Sequence, residues 1–220
     1  VDIANSLAAY QAVAFRADES PFDLYLRGHN VLHPAEERGM DLFFGAANCA
    51  SCHSGKFLTD HSFHAIAMPQ IGPGKGDGHG GNDDFGRERV TKLTSDRYKF
   101  RTPGLRNVAL TGPWGHAGQF ATLEATIAHH ADAVASLRSY NTNQAVLPNR
   151  SDLNNIDFLV HRHGSSRIAL EKKNQLPARS LSRSDIADLV AFLESLTDRY
   201  SIDLEGEIPR SVPSGLSIDR

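Results

Sequence analysis

The fold of this 220-residue chain is decided around the sequence AANCASCHSG, which spans residues 46–55. At its centre, Cys49-Ala50-Ser51-Cys52-His53 contains the only two cysteines of the chain, followed directly by a histidine. This C-x-x-C-H pattern is typical of c-type haem attachment, in which two thiols bind the haem covalently and the imidazole ligates the iron from the proximal side. The sequence therefore predicts one covalent haem at Cys49, Cys52 and His53.

Other uses of a closely spaced cysteine pair fit this sequence less well. A zinc site needs two further soft ligands at paired spacing, and the chain has no second C-x-x-C unit. A thioredoxin-like redox pair lies between a strand and a helix, whereas residues 48–54 follow a predicted helix and lead into a glycine-rich loop. Haem attachment is therefore the preferred interpretation.

The composition excludes several classes of function. Hydrophobic residues make up 40% of the chain, which is enough for a buried core, and the formal net charge is only −3. We therefore expect neither nucleic acid nor an anionic membrane as a partner. No apolar stretch is long enough for a transmembrane segment, and the first residues lack the layout of a signal peptide, so we expect that an export signal has been removed. Covalent haem attachment implies an export route, which predicts a periplasmic location.

Hydrophobic periodicity predicts an all-α fold, a c-type cytochrome domain with long loops around one covalent haem. The predicted helices are residues 2–15, a helix from Pro34 to just before Gly45, residues 123–137, residues 183–196 and a short helix at 154–161. We expect the first helix to pack against the rest of the protein through an apolar stripe that contains Ile3, Leu7 and Tyr10. Residues 20–30 are expected to form a connector in which alternate apolar residues point inward.

Two further segments have a distinctive composition. Residues 54–90 lack periodicity and are rich in glycine, so we expect a structured loop that wraps one edge of the haem. Its acidic run at 76–84 lacks the EF-hand order, and we interpret it as a turn rather than a calcium site. Residues 162–183 carry six cationic side chains and one carboxylate. We expect a solvated surface there, with a docking patch for an acidic partner as the alternative.

The second axial ligand of the iron determines the chemistry of a haem. Position 130 falls on the apolar stripe of the predicted helix at 123–137, together with Ile127, so His130 is expected to point into the core and His129 toward the edge or solvent. His130 is the preferred distal ligand. Met68, water, an open site or another histidine remain alternatives. Two histidines close the iron to substrate, whereas a methionine raises its potential.

Three strings resemble one protein family. They are Asp84-Phe85-Gly86-Arg87, FRTPGLRNVALTGPWGHAGQFATLEATIAHH from Phe100 to His130, and IADLVAFLESLTD from Ile186 to Asp198. They resemble the bacterial dihaem cytochrome c peroxidase and MauG family, and specifically its second, C-terminal haem domain. The resemblance implies a haem domain at residues 31–200, a linker helix and connector from a missing first haem domain at 1–30, and a tail at 201–220.

The resemblance also implies a function. In that family the haem of the first domain reacts with peroxide, and the haem that corresponds to this chain receives electrons or shares oxidising equivalents. The chain then resembles an electron-transfer domain or subunit of such an oxidoreductase. The implied partners are a second haem domain or subunit and a small redox protein, and a homo- or hetero-oligomer is compatible with this arrangement. A peroxide-reactive haem enzyme in its own right and a simple shuttle cytochrome are the alternatives.

Individual residues match positions of known role in that family. Cys49, Cys52 and His53 match the attachment and proximal ligand of the second haem. His130 stands at the distal position, where peroxidase members usually have methionine and MauG-like members have tyrosine. Backbone carbonyls equivalent to those of Thr111 and Pro113 hold an interdomain calcium ion, which makes Ca²⁺ a second implied cofactor.

Overall fold

Short helices connected by long loops account for most of the molecule. The computed structural model describes residues 1–217, so the last three residues of the predicted tail lie outside the described part. The helices are α1 Asp2–Ala14, α2 Pro21–Leu26, α3 Pro34–Phe44, α4 Glu88–Thr91, α5 Leu123–Ala131, α6 Ala133–Arg138, α7 Leu159–Arg162, α8 Gly164–Lys173 and α9 Arg183–Glu194. One antiparallel pair of two-residue strands, β1 Phe63–His64 and β2 Phe100–Arg101, completes the regular structure of these residues. The chain is thus mostly helical with long loops, as the periodicity predicts.

The packing of α3 against α9 forms the main apolar core. Phe43 and Phe192 are fully buried, with ring centroids 5.1 Å apart. At Gly39 the two helices approach so closely that a Cβ would lie 1.9 Å from the carbonyl oxygen of Asp188, so only glycine permits this approach. The start of α9 is stabilised by a capping box, in which Ser182 and Asp185 each accept a hydrogen bond from the other's backbone N–H. These helices agree with the predicted ones.

The predicted continuous helix at 123–137 is wrong. Helix α5 ends at Ala131, and Asp132 leaves the helical conformation with φ −147° and ψ 88°. Its carboxylate accepts a hydrogen bond from the backbone N–H of Ala135 at 2.9 Å and so caps the separate helix α6. Aspartate favours such caps because its side chain competes with the helical backbone. The apolar spacing continues across this break, so periodicity alone did not reveal it.

Two expectations for the first 30 residues also need correction. Helix α1 begins as predicted and ends one residue early, at Ala14, but its apolar stripe does not pack against the protein, since Ile3 is 80% and Leu7 58% exposed. The connector is a short helix, α2, rather than an alternating segment. Ser20 and Asp23 form a capping box and Pro21 occupies the first helical position, which together favour a helix here. Phe22 in its first turn is buried, whereas Leu26 at its end is exposed.

Two segments between α6 and α9 differ from the predicted helix content. The short helix expected at 154–161 begins only at Leu159, after a series of turns. The basic stretch that follows forms α8, whose Leu170 is buried while Ile168 and Lys172 are exposed. Between residues 54 and 90 the chain contains β1, one turn of 3₁₀ helix and α4, and is otherwise irregular.

A buried carboxylate joins distant parts of the chain. Asp198 is fully buried and accepts a hydrogen bond from the backbone N–H of Glu19 at 2.7 Å, across 179 positions of sequence. The backbone N–H of Asp198 in turn donates to the side-chain oxygen of Asn107 at 2.8 Å. The segment that enters the domain before α2 is therefore tied to the segment that leaves it after α9.

Candidate haem site

A largely apolar cavity of about 480 Å³ lies among α3, α5, α9 and the loops that follow the cysteine motif. The residues predicted from sequence to ligate haem iron, attach haem or hold calcium all line it, namely Cys49, Cys52, His53, Met68, Thr111, Pro113 and His130. Its volume is within the range of small-molecule and cofactor sites, roughly 300–1,000 Å³. The fold therefore brings one predicted set of residues, from distant parts of the sequence, to a single cavity.

The cysteine motif forms a tight turn at the wall of this cavity. Asn48 takes a left-handed conformation with φ 53°, which asparagine tolerates better than most residues, and a 3₁₀ turn spans Cys49–Ser51. Both cysteines are free thiols. Burial raises the pKa of the Cys49 thiol to about 11, so this thiol is protonated at neutral pH. The pair is thus available for attachment and is not consumed by a disulfide.

His53 is held in the tautomer that a metal ligand needs. Its Nδ1 lies 3.1 Å from the carbonyl oxygen of Leu58, and because a carbonyl only accepts, Nδ1–H is the donor. Burial, with a smaller effect of the nearby His130, lowers the pKa of His53 to about 4. The ring is therefore neutral at pH 7 and Nε2 is its unprotonated nitrogen.

His130 has the same arrangement in a different element. Its Nδ1 lies 2.8 Å from the carbonyl oxygen of Thr126, one turn earlier in α5, so Nδ1–H donates there and Nε2 is unprotonated in the neutral ring. Burial lowers the pKa of His130. The ring lines the same cavity as His53. The structure thus brings together the two histidines that the sequence predicts as axial ligands.

Met68, the alternative ligand, lines the cavity but is packed in an apolar cluster. Only 6% of it is exposed, and it belongs to an apolar cluster with Ile71, Phe120 and Tyr140. It is therefore a packed side chain at the cavity wall.

The prediction that His129 faces the edge or solvent is wrong, since the residue is 0% exposed. Its Nε2 lies 2.8 Å from the carbonyl oxygen of Ile66 and its Nδ1 lies 3.0 Å from the hydroxyl of Ser136. Burial lowers its pKa to about 4. The helical projection assumed that only one face of α5 is covered, whereas the cavity lies on one face and a second apolar cluster covers the other.

Sequence reasoning missed a carboxylate–imidazole pair beside the cysteines. His64 Nε2 and Asp60 Oδ2 are 2.8 Å apart, and ligand atoms of both lie within 4.8 Å of each other and of the Cys52 sulfur. Burial raises the pKa of Asp60, but hydrogen bonds, first from His64 and then from the backbone of Ser62, outweigh it and bring the pKa to about 2. The sequence offers no motif for this pair, because Asp60 lies in a loop and His64 in the two-residue strand β1.

Two further groups at the cavity were also missed. His116 Nε2 lies 2.9 Å from Asp84 Oδ2, and the His116 ring stacks on Phe100 with centroids 3.8 Å apart. Arg179 lines the cavity close enough to Cys49 to oppose the rise in that thiol's pKa. Asp84 and His116 lie in strings that the resemblance had singled out, but the sequence alone did not pair them.

The donor set fits a haem of the c type. Two free thiols lie on the same cavity as two neutral imidazoles, each with Nδ1 fixed on a backbone carbonyl. A fixed Nδ1–H orients the ring and leaves Nε2 for the metal, as is usual for histidine ligands. A mostly helical fold around such a cavity defines the class of c-type haem domains.

Known proteins define the family more narrowly. No protein-family model matches the chain. Cytochrome-c peroxidase IdrP1 of Pseudomonas sp. (strain SCT) is 32% identical over 218 residues, which cover 89% of this chain and 49% of that protein. Methylamine utilization protein MauG of Methylorubrum extorquens is 37% identical over 128 residues, 57% of this chain and 33% of that protein. The crystal structure of a MauG-like protein associated with microbial copper homeostasis matches with a TM-score of 0.58 and 32% identity, over 83% of this chain and 49% of that one.

The homologues of this chain are cytochrome c peroxidases and MauG proteins, in agreement with the resemblance of the sequence strings. The chain spans about half the length, or less, of these relatives. Among residues 1–217 no helix is long and apolar enough to cross a membrane.

Proposed function

We propose that this chain is the electron-transfer haem domain or subunit of a cytochrome c peroxidase or MauG-like oxidoreductase. It passes electrons to a second haem, or shares oxidising equivalents with it, and corresponds to the second haem domain of the family. Cys49 and Cys52 attach the haem, His53 is the proximal ligand and His130 the distal ligand. The periplasm is the proposed location, because covalent haem attachment requires export.

One observation carries this proposal. His53 and His130 line one cavity, and each directs its Nδ1–H to a backbone carbonyl, of Leu58 and Thr126 respectively. Two such imidazoles would hold a bound haem iron from both sides and would leave no position for peroxide. An iron closed in this way suits electron transfer better than reaction with substrate.

The other residues of the cavity have supporting tasks. A bound haem supplies the one-electron chemistry, and the protein holds it, orients it and excludes water. Arg101 and Arg179 line the cavity and would pair with the carboxylates of the haem propionates. Apolar side chains such as Leu189 and Leu193 line the cavity and would cover a bound haem and exclude water.

A second haem domain or subunit is the proposed partner, and α1 supports this. Its apolar stripe is exposed along its length, at Ile3, Leu7 and Tyr10. Exposed apolar stripes of this kind are commonly covered by another protein surface. The relatives have about as much chain again as this one, which is enough for a domain of that size. A calcium ion held by the carbonyls of Thr111 and Pro113 remains a prediction.

The decisive experiment measures the axial ligands of the haem-loaded protein. We expect one haem per chain, and near-infrared magnetic circular dichroism typical of two histidines in the ferric state. His130→Ala should convert the ferric haem from low to high spin, whereas the matched change at the exposed His33 should leave the spectrum unaltered. An unchanged spectrum in His130→Ala would exclude His130 as the distal ligand.

The electron-transfer role itself is tested by peroxide. Stopped-flow mixing of the isolated holoprotein with peroxide should give no rapid high-valent spectrum, because the iron is closed. His130→Ala should react faster, since it opens the site. Rapid reaction of the unmodified chain would instead favour a peroxide-reactive enzyme in its own right.

A further inference from the structure

His129 is a buried histidine next to the haem cavity. It has no role in the proposed electron transfer. It is 0% exposed, and both ring nitrogens are engaged. Because a carbonyl only accepts, Nε2–H donates to Ile66, and Nδ1 then accepts the hydroxyl proton of Ser136. The ring therefore ties α5 to α6 and to the loop segment at residues 65–68.

We propose that His129 is a positioning residue that decides which side chain reaches the distal side of the haem, by holding Met68 away from it. This inference rests on the proposed haem site with His130 as the distal ligand. His129 itself does not touch the haem in this proposal. It acts through the loop that carries Met68.

Met68 is a real competitor for the distal position. It lines the same cavity as His130. A thioether is a good sixth ligand for a c-type haem and sits on a flexible side chain. In the structure this side chain is packed with Ile71, Phe120 and Tyr140 instead. Some feature must therefore keep it in that cluster when iron is present.

The backbone next to Met68 is held in an unfavourable conformation. Ala67 has φ 48°, in the left-handed region that residues with a Cβ disfavour. It lies between two tethered carbonyls, that of Ile66, bonded by His129, and that of Pro69, which accepts from Gln119 Nε2 at 2.9 Å. Such conformations persist only where the surroundings enforce them. Loss of the His129 bond lets Ala67 relax, which redirects the next side chain, Met68.

The His129 ring is also part of the wall that encloses Met68. It packs against Phe120 with centroids 5.1 Å apart, and Phe120 packs against Tyr140 at 5.8 Å. Both aromatic residues belong to the cluster that contains Met68. The tether and the packing therefore act in the same direction.

Two substitutions separate the tether from the bulk of the side chain. In His129→Gln the amide nitrogen reaches about the position of Nε2 and still donates to Ile66. In His129→Asn the shorter side chain places it near Nδ1, too far back for this bond. We expect the bis-histidine spectrum in unmodified protein and in His129→Gln. His129→Asn should acquire a methionine-ligated fraction, seen by near-infrared magnetic circular dichroism, and a higher reduction potential. Adding Met68→Leu to His129→Asn should remove that fraction.

Each other result contradicts the inference in an identifiable way. A folded His129→Asn holoprotein, by circular dichroism, that keeps a pure bis-histidine spectrum overturns it and leaves the proposed function intact. If His129→Asn does not fold, Ser136→Ala is the milder variant, because it frees Nδ1 and weakens the hold on the ring. A smaller methionine fraction is expected there, and its absence overturns the inference. A methionine spectrum in unmodified protein contradicts both His130 as ligand and the role of His129.

Discussion

The two walls of the haem cavity are built on different principles. On one side α3 and α9 meet through apolar surfaces, with Phe43 and Phe192 fully buried between them. On the other side an irregular segment, residues 65–70, is almost equally buried but is held by individual polar bonds. The side chains of Gln175, His129 and Gln119 bond the backbone of Ala65, Ile66 and Pro69.

Because of this difference, the two walls should differ in which amino-acid substitutions they tolerate. Apolar burial is not directional, so the helical wall needs the right volume and pattern more than particular residues. A buried backbone group without a helical or sheet partner needs one specific donor or acceptor, and its loss leaves that group unpaired. Substitutions should therefore be tolerated on the helical wall unless they change its shape, and should fail on the loop wall when they change polarity.

The largest effect is expected from loss of the covalent haem attachment, on which both walls of the cavity depend. Cys49→Ser combined with Cys52→Ser should abolish covalent haem completely, because no thiol remains to form a bond. Haem staining after denaturing electrophoresis and the mass of the chain measure this directly. Ser51→Ala is the matched control within the motif and should retain full attachment. Covalent haem in the double variant would contradict the attachment site.

The helical wall should be sensitive to shape. In Gly39→Ala the new methyl group would meet the Asp188 carbonyl oxygen at 1.9 Å and force α3 away from α9. Overpacking of this kind costs about 3 kcal/mol of the free energy of unfolding. Urea denaturation of the holoprotein gives the value. Gly164→Ala, where no atom lies within 4 Å of the new methyl, should change stability little.

The loop wall should be sensitive to polarity at nearly constant volume. Gln70 is buried, and its side chain both accepts from the Asp84 N–H at 2.9 Å and donates to the Asp84 carbonyl at 3.2 Å. Gln70→Leu leaves these two groups unpaired, so we expect a loss of about 2 kcal/mol. The same change at the exposed Gln11 is the control. A Gln70→Leu protein as stable as the parent would remove the distinction between the walls.

The smallest effect concerns the charge of Asp60, which lies next to the loop wall and pairs with His64. The pKa of Asp60 is about 2 in the folded protein, below the value of about 4 for an unfolded chain. The ionised carboxylate therefore stabilises the protein above about pH 4, and this stability is lost as the pH falls toward 2. Between pH 5 and pH 3, stability should fall less steeply in Asp60→Asn than in the parent. His64→Asn, which removes the main partner, should show a similarly reduced slope in urea denaturation. Equal slopes in all three proteins would contradict the pairing.

The comparison also explains what the sequence was able to predict. Helices α3 and α9 have regular apolar spacing and local caps such as Ser182, and the cysteine motif is contiguous, so short-range pattern was sufficient for them. His130 was placed at the cavity by the same periodicity. The break between α5 and α6 at Asp132 was not predicted, because the capping residue interrupts the helix while the spacing of the apolar residues continues across it.

The loop wall depends on partners that are distant in sequence. His129 and Ile66 are 63 positions apart, and His116 and Asp84 are 32 positions apart. Neither pair has a spacing that periodicity recognises, and each forms only when the chain closes around the cavity. His129 was misplaced for this reason, since a helical projection contains no information about the loop that covers its far side.

The bond between Asp198 and Glu19 has a topological consequence. The entry and exit points of the domain coincide, so the chain between them is nearly a closed ring. Such a module can be spliced into a host protein at one surface position without pushing the host's two flanks apart. It should equally accept a short linker from residue 198 to residue 19 and new termini in the exposed irregular segment at Pro148 and Asn149.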